Sequence, residues 1–405
     1  MSDLSYIDKL LDGVEVEWKA LGEISEYSKT RISHELLNKA NYIGVNNLLQ
    51  NRAGKTESDH VPVAGNSTKY QNDDILIGNI RPYLKKIWLA NNTGGTNGDV
   101  LVIRLTNNTV NPRFLFQVLA DDKFFNYNMQ HAKGAKMPRG DKTKIMDYCI
   151  PIPPLKIQNK IVQILDKFAE LTAELTAELT ARQQQYVYYR DQLLTFEEGE
   201  VQHLPMGTKG VGEFVRGKGL QKKDFTNAGV GCIHYGQIYT QYNTYAYKTQ
   251  SFVSSEFAEK ARKAQQGNLV IATTSENDED LCKAVAWLGS EEIAISNDAC
   301  IYKHTLDPKF VSYFFQTEQF QEQKRQYITG TKVRRVNADN LAKIKIPVPS
   351  MLEQKRIVSI LDKFDTLTTS LTEGLPREIE LRQQQYEYYR DLLLSFPKPE
   401  VVAHD

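Results

Sequence analysis

The stretch RQQQYVYYRDQLLTF, Arg182–Phe196, returns two hundred residues later as RQQQYEYYRDLLLSF, Arg382–Phe396. A chain that repeats a long segment at such a distance is built from duplicated units, and whatever one copy folds into, the other must fold into again. The duplication extends upstream. IPIPPLKIQNKIVQILDKF (Ile150–Phe168) aligns with IPVPSMLEQKRIVSILDKF (Ile346–Phe364) at an offset of 196. At that same offset NPRFLFQVL from Asn111 meets DPKFVSYFF from Asp307, and GAKMPR from Gly134 meets GTKVRR from Gly330. After Phe168 the offset becomes 200, so the second copy is four residues longer between Phe364 and Arg382. EVEWKALG from Glu15 is echoed by EVQHLPMG from Glu200, an offset of 185. The 405-residue chain is one unit of about 190 residues written twice.

Each unit has two parts. The first, about 140 residues, carries short apolar runs such as ILIGNI, VLVIRL, NLVIATT and EIAIS, broken by Gly, Asn and Asp. These runs predict strands and turns, mixed with helices near FLFQVLADDKFFNYNM and FVSYFFQTEQFQEQKRQ. The second part is a long helix entered through prolines, which suit a first turn or its lead-in. In copy one Ile157, Ile161, Ile164, Phe168, Leu171, Leu175 and Leu179 recur every three or four residues, close to a coiled-coil seam. Continued through Tyr186, Tyr189 and Leu193, the helix has about 40 residues and a length of roughly 60 Å. One apolar stripe on a helix that long needs a partner, and its own repeat supplies one. Ile357, Ile360, Phe364, Leu367 and Leu371 give the second seam, interrupted by Gly374 and Pro376, where a kink or short break is expected. Packed antiparallel about a pseudo-two-fold, the helices would hold one globular domain at each end.

The formal net charge is zero, but charge is unevenly placed. Residues 13–150 carry 18 basic against 14 acidic side chains, and residues 201–346 carry 19 against 15, so each nets +4. Residues 151–200 (5 against 8) and 347–405 (7 against 10) each net −3. Paired basic domains hint at localised anion binding. Four scattered cysteines, Cys149, Cys232, Cys282 and Cys300, form no CxxC pair and read as free buried thiols in a reducing cytosol. No run of eighteen apolar residues suggests a membrane span, and MSDLSYIDKLLDG does not resemble a secretory signal, so a cytoplasmic location is expected.

The ILDKF…TAEL…RQQQYxYYRDxLL segment closing a variable domain, its I-P-[IV]-P entry and the duplication resemble the specificity subunit of type I restriction–modification systems, most closely the type IC group. The resemblance covers essentially the whole chain and is most specific in the two helical regions. It implies an α+β fold with two target recognition domains joined by two long antiparallel coiled-coil helices. The divisions would be an N-terminal segment 1–12, recognition domain 13–150, spacer helix 151–197, recognition domain 198–346, spacer helix 347–397 and tail 398–405. Each recognition domain would read one half of a split, asymmetric site in double-stranded DNA. The helices would set the spacing and dock two modification subunits, with restriction subunits joining the complex. The chain would be non-catalytic and bind no cofactor. S-adenosylmethionine would sit on the modification subunits, and ATP and Mg on the restriction subunits.

Reading DNA takes cations for phosphates and forked donors for base edges. The candidates at equivalent positions are GAKMPRGDKTK, with Lys136, Arg139, Lys142 and Lys144, and GTKVRR, with Lys332, Arg334 and Arg335. A glycine-led loop can approach a groove closely, and in the family the matching loop often faces DNA; the alternative is a solvated basic turn. Arg81, Lys85 and Lys86 in NIRPYLKK, and Arg216, Lys218, Lys222 and Lys223 at the start of the second domain, are further candidates. Tyr235, Tyr239, Tyr242, Tyr245 and Tyr247 suit stacking on nucleotides or ordinary packing. On the helices, Tyr186, Tyr188, Tyr189 and Arg190 repeat as Tyr386, Tyr388, Tyr389 and Arg390. Three tyrosines in four positions cover more than one helix face, so these residues are candidates for docking modification subunits, the alternative being closure of the coiled coil.

Catalytic motifs are missing from the sequence. Asn111-Pro112-Arg113-Phe114 lacks the second proline of an adenine-methylase motif. Ala53-Gly54-Lys55-Thr56 lacks the upstream glycine of a phosphate-binding loop, because position 49 is Leu. GTKGVGEFVRGKG has Val215 where the third glycine of GxGxxG belongs, and the seven histidines show no metal spacing. A self-contained methylase or nuclease is therefore disfavoured. A coiled-coil scaffold binding only protein remains a rival, against which the paired basic domains stand.

Overall fold

The computed structural model describes residues 6–197, 199–370 and 372–397. Residues 1–5 of the expected N-terminal segment and the expected tail 398–405 lie outside the described residues. Contacts within the chain divide it into two units, Met1–Glu174 with Ile379–Asp405, and Leu175–Glu378.

In the first unit the apolar runs form two four-stranded sheets. One orders Ser25–Tyr27, Val100–Leu105, Ile75–Gly78 and Ile87–Leu89; the other orders Arg31–Ser33, Asn66–Tyr70, Gly94–Thr96 and Tyr42–Ile43. In the first of these, residues 100–103 and 75–77 are continuously apolar because both faces are covered. Leu101 and Ile103 pack with the helices Pro112–Leu119 and Asp122–Gln130, while Val100 and Val102 pack with Leu48, Tyr70 and Trp88 of the other core. The two-residue alternation of the strand sorts its side chains between these cores.

The second unit repeats this plan. Gly212–Arg216, Ala299–His304, Leu269–Ala272, Ala284–Trp287 and Tyr245–Ala246 make one sheet; Ser251–Val253, Val230–Ile233, Ile293–Ile295 and Lys263–Ala264 make the other. Leu269 and Ile271 face one core, Val270 and Ala272 the other. Helices Pro308–Phe314 and Glu318–Arg325 start 196 residues after their counterparts, capped by Asp307 and Thr317 as those are by Asn111 and Asp121. Side-chain oxygens at each cap accept the free amide protons of the first turn.

A short antiparallel ribbon closes each domain. Glu17–Ala20 pairs with Cys149–Ile152, and Gln202–Pro205 pairs with Lys345–Val348. The chain therefore leaves each domain beside the point where it entered, and turns through prolines into a long helix. Gln158 fastens that turn: its carbonyl accepts from Asn111 N (2.8 Å) and its amide donates to Pro153 O (2.7 Å). Gln354 makes the same two bonds to Asp307 N and Pro349 O.

The first long helix is continuous over 40 residues, Leu155–Leu194. The second is broken into Met351–Thr369 and Leu375–Leu393. Gly374 has φ +85, and a Cβ there would lie 2.5 Å from Thr366 O, so the chain turns out of the helix where the sequence suggested an interruption. The seam is uneven. Ile157, Ile161, Val162 and Leu165 are buried, whereas Leu171, Leu175 and Leu179 are only half-buried. The repeated words meet reciprocally. In the first unit Phe168 of one ILDKF stacks on Tyr389 at 5.1 Å; in the second Phe364 of the other stacks on Tyr189 at 5.7 Å. Three cysteines are buried as expected, but Cys149 is exposed, because it starts the closing ribbon rather than sitting inside a core strand. No helix among the described residues is long and apolar enough to cross a membrane.

Candidate nucleic-acid interface

In the first unit Gly134, at φ +99, opens a loop whose base is closed by two backbone hydrogen bonds between Lys133 and Arg139, each 2.9 Å. The strand end at Ile80 bridges Arg139, and Arg81 N donates to Pro138 O at 2.7 Å. The fold thus brings two separate sequence candidates, Arg81 and the loop, side by side. Arg81 is exposed and left-handed (φ 53). Lys136 is exposed with no ion pair among the described residues; Arg139 is exposed and pairs with Asp99 at 3.1 Å. Asp141 caps the short helix Lys142–Met146, and its carboxyl is held below the usual carboxylate range by the bond from the Lys133 ammonium and by its cap bonds. Lys142 is exposed, and Lys144 pairs with Asp147 at 3.0 Å.

Lys85 and Lys86 are oriented otherwise. Lys85 pairs with Asp122 at 2.8 Å, and Lys86 Nζ donates to Val45 O at 2.7 Å. Both are half-buried, and burial lowers both ammonium pKa values. A run of charges in sequence does not say which side of a tight turn each one leaves.

The second unit builds the loop again. Gly330 has φ +87, and Thr329 and Arg335 exchange two backbone hydrogen bonds of 2.9 Å. Arg334–Arg335 also pairs with Thr274–Ser275 as a two-residue ribbon. Arg334 is tied down, with Nε 2.9 Å from Asp278 and a terminal nitrogen donating to Gly330 O at 2.7 Å. Lys332 and Arg335 are exposed. Thr274 donates to Asp298 at 3.3 Å, and next to it Asn297 accepts from Arg216 Nε at 3.1 Å and from Gly219 N. Through residues 297–298 the Arg216 cluster and the glycine loop are connected. Lys218, Lys222 and Lys223 are exposed beside Arg216. The His234 imidazole pKa is pushed down, first by burial and then by the Lys222 charge. Of the tyrosines, Tyr242 is buried, Tyr239 donates to Thr274 O, Tyr245 lies under the Lys309 ammonium, and Tyr247 is exposed.

The buried support beneath the second loop escaped sequence reasoning. Lys324 is 1% exposed, and its ammonium donates to Asp278 O (2.7 Å), Leu281 O (2.8 Å) and Gln321 Oε1. It fixes the segment whose Asp278 grips Arg334. The residue 196 positions earlier is Asn128, also 1% exposed. It lies beside Asn79 and Gly140, where a Cβ on the glycine would come 2.3 Å from Asn128 Oδ1. The offset between copies was the available signal, since both copies place a polar residue at one helical position. A buried lysine is rare enough that composition alone gives no reason to look.

On the helices the eight docking candidates separate into two groups. Tyr186, Arg190 and Arg390 are buried and Tyr386 is half-buried. Tyr186 donates to Gln316 at 3.1 Å and Tyr386 to Gln117 at 2.8 Å, each within its own unit. Tyr186 and Tyr386 thus tie the ends of the helices to the globular domains. Tyr188 (61%) and Tyr388 (65%) are the most exposed of the eight, each edge-on to Tyr189 or Tyr389.

The arrangement is suited to binding an extended polyanion: loops closed at the base by backbone hydrogen bonds carry exposed cations at the same place in two domains. Among the described residues no cluster of His, Cys, Asp or Glu is disposed to hold a metal. Asn111 of NPRF is a helix cap, and Lys55 of AGKT donates to Ala40 O.

Comparison with known proteins gives a consistent result. The family model of the type I restriction modification DNA specificity domain matches twice, at residues 13–182 and 206–381. The EcoR124I/EcoR124II specificity subunit of Escherichia coli is 34% identical over 430 aligned positions, covering 100% of each chain. A putative type I restriction enzyme specificity subunit of Haemophilus influenzae is 32% identical, covering 97% of this chain and 98% of its own. Among solved structures, a chain from a study of complex assembly and conformational transition of the type I R-M system superposes with TM-score 0.65, at 16% identity, over 94% of this chain and 98% of that one. The HsdS subunit from Thermoanaerobacter tengcongensis superposes with TM-score 0.51, at 15% identity, over 95% and 99%.

Proposed function

The chain belongs to the type I restriction–modification DNA specificity family, a non-catalytic subunit that supplies target recognition, and from that premise we propose how its residues divide the work. Each recognition domain reads one half of a split, asymmetric duplex site. The loops Gly134–Arg139 and Gly330–Arg335 approach the DNA, with Lys136, Arg139, Arg81 and Lys142 in one domain and Lys332, Arg335, Arg216, Lys218, Lys222 and Lys223 in the other. Lys136 and Lys332 neutralise phosphates. Arg139 and Arg335, with forked guanidinium groups, suit base edges. The carrying observation is recurrence: the same loop, closed by the same pair of hydrogen bonds, stands at the same register in both domains.

Two modification subunits dock on the helices, one near Tyr188 and Tyr189 and one near Tyr388 and Tyr389. Restriction subunits join through that complex in the cytoplasm. S-adenosylmethionine, ATP and Mg belong to those partners, and this chain contributes recognition and spacing. Divisions between recognition domains and helices near residues 150, 197 and 346 are supported by the closing ribbons, which adjoin the long helices in the chain.

The test is a genome-wide map of methylated adenines in cells carrying a cognate modification subunit, with and without this chain. A new motif of two short unlike halves around a fixed unread gap is the expected result. Its absence, with the modification subunit folded and present, would overturn the reading.

A further inference from the structure

At the tip of each glycine-led loop stands an apolar side chain. Met137 is 51% exposed and Val333 is 41% exposed, and they occupy the same register, 196 residues apart. Each is flanked by cations, Lys136 and Arg139 in one loop and Lys332 and Arg335 in the other. Neither sits there through looseness of the chain. Backbone hydrogen bonds close both loops at their bases, and a left-handed glycine starts each. The backbone of Arg81 fastens the first loop through Pro138, and Asp278 fastens the second through Arg334. A Cβ on Gly330 would lie 2.1 Å from Val333 O, so the tip is drawn tightly over the glycine.

An apolar side chain left about half exposed between cations gains less from folding than one buried in a core. A polar residue would suit a purely phosphate-binding turn better. Both copies nevertheless place an apolar group there, Met in one and Val in the other. We propose that Met137 and Val333 are base-contacting probes, one for each half-site, making apolar contact with the bases while Lys136 and Lys332 hold the phosphates. Apolar contact of this kind recognises the thymine methyl in the major groove, or wedges into a base step. The different size and shape of the two side chains fits two halves of unlike sequence. The proposal rests on the reading that these loops face DNA.

The test uses the full chain assembled with its modification subunits, on a duplex carrying the mapped site. Met137→Gln and Val333→Thr keep roughly the size of each side chain and change its polarity. Each is expected to weaken cognate binding on the order of 10- to 100-fold, the range of one lost base-pair discrimination. Non-specific binding and the dependence on salt should stay unchanged. In the methylation map Met137→Gln should relax one half of the motif and Val333→Thr the other, while Met137→Leu keeps both. Lys136→Ala and Lys332→Ala serve as the reference, each lowering the salt slope by about one. If the lysine variants act but the polar tips leave affinity and motif intact, the apolar-probe inference falls and the loop assignment stands. If the lysine variants also leave the salt slope unchanged, the loops do not face DNA and both fall.

Discussion

His304 ends the strand Ala299–His304 with its ring 4.9 Å from that of Tyr302. Its Nδ1 donates to Leu306 O at 3.2 Å, and Nε2 is buried with no partner. Burial therefore pushes the imidazole down from 6.5 to about 4. The folded chain keeps this ring neutral where the unfolded chain protonates it, so stability falls as pH drops through 6.5 and levels off below about 4. The difference corresponds to roughly 3 kcal/mol at most. His304→Phe should remove that part of the acid sensitivity. Hydrogen exchange across Leu269–His304 at pH 7 and pH 4.5 checks it, and equal losses of protection in both proteins would refute it. At this scale the sequence is partly legible. Exposed cations such as Lys136 and Lys332 follow from charge, glycine and repeat spacing. Lys85 and Lys86 do not, because the turn at Pro82–Leu84 directs them back onto the protein. Lys324 does not either, because its role depends on the Asp278 and Leu281 carbonyls that only the fold brings near.

The helices were legible as elements because three- and four-residue apolar spacing is a local property, and Gly374 with Pro376 announced the break. Which tyrosines face outward was not. RQQQYxYYR looks alike all round in sequence, and only packing against Gln117 and Gln316 decides that Tyr186 and Tyr386 turn inward. Tyr188→Ala and Tyr388→Ala should accordingly reduce assembly with the modification subunit without unfolding either unit. Gel filtration of the reconstituted complex measures this, and unaltered assembly of both variants would count against docking there. The Thr172–Leu175 and Thr176–Leu179 words offer a second test. One more TAEL would lengthen a helix by about 6 Å and rotate it by about 40°. With a DNA rise of about 3.4 Å per base pair, the unread gap should widen by one or two base pairs while both halves keep their sequence. A methylation map with an unchanged gap would show that the helix is not the ruler.

At the scale of the whole chain the duplication gave away the architecture, but not how far the two ends of the polypeptide depend on each other. Leu393, Leu394 and Phe396 are buried in one core with Ile7, Leu11, Phe114 and Ile161, and Phe396 lies edge-on to Phe114 at 6.2 Å. Trp18 Nε1 donates to Pro397 O at 3.0 Å across 379 residues of sequence. The second unit takes the corresponding residues Leu193, Leu194 and Phe196 from the end of the first long helix and the segment just after it. Each recognition domain is thus completed by the end of a helix that follows the other copy or precedes its own. Ending the chain at residue 378 should then leave the second unit folded and unfold the first, although every deleted residue is more than 200 positions away from the first domain. Removing three fully or nearly buried apolar side chains from one core costs several kcal/mol, comparable with the whole stability of a domain. Hydrogen exchange should show protection lost across Ile75–Gly78 and Val100–Leu105 and kept across Leu269–Ala272 and Ala299–His304. Retained protection in the first pair of strands would mean that its core closes without the distant helix, and that the reciprocal packing serves docking and spacing rather than folding.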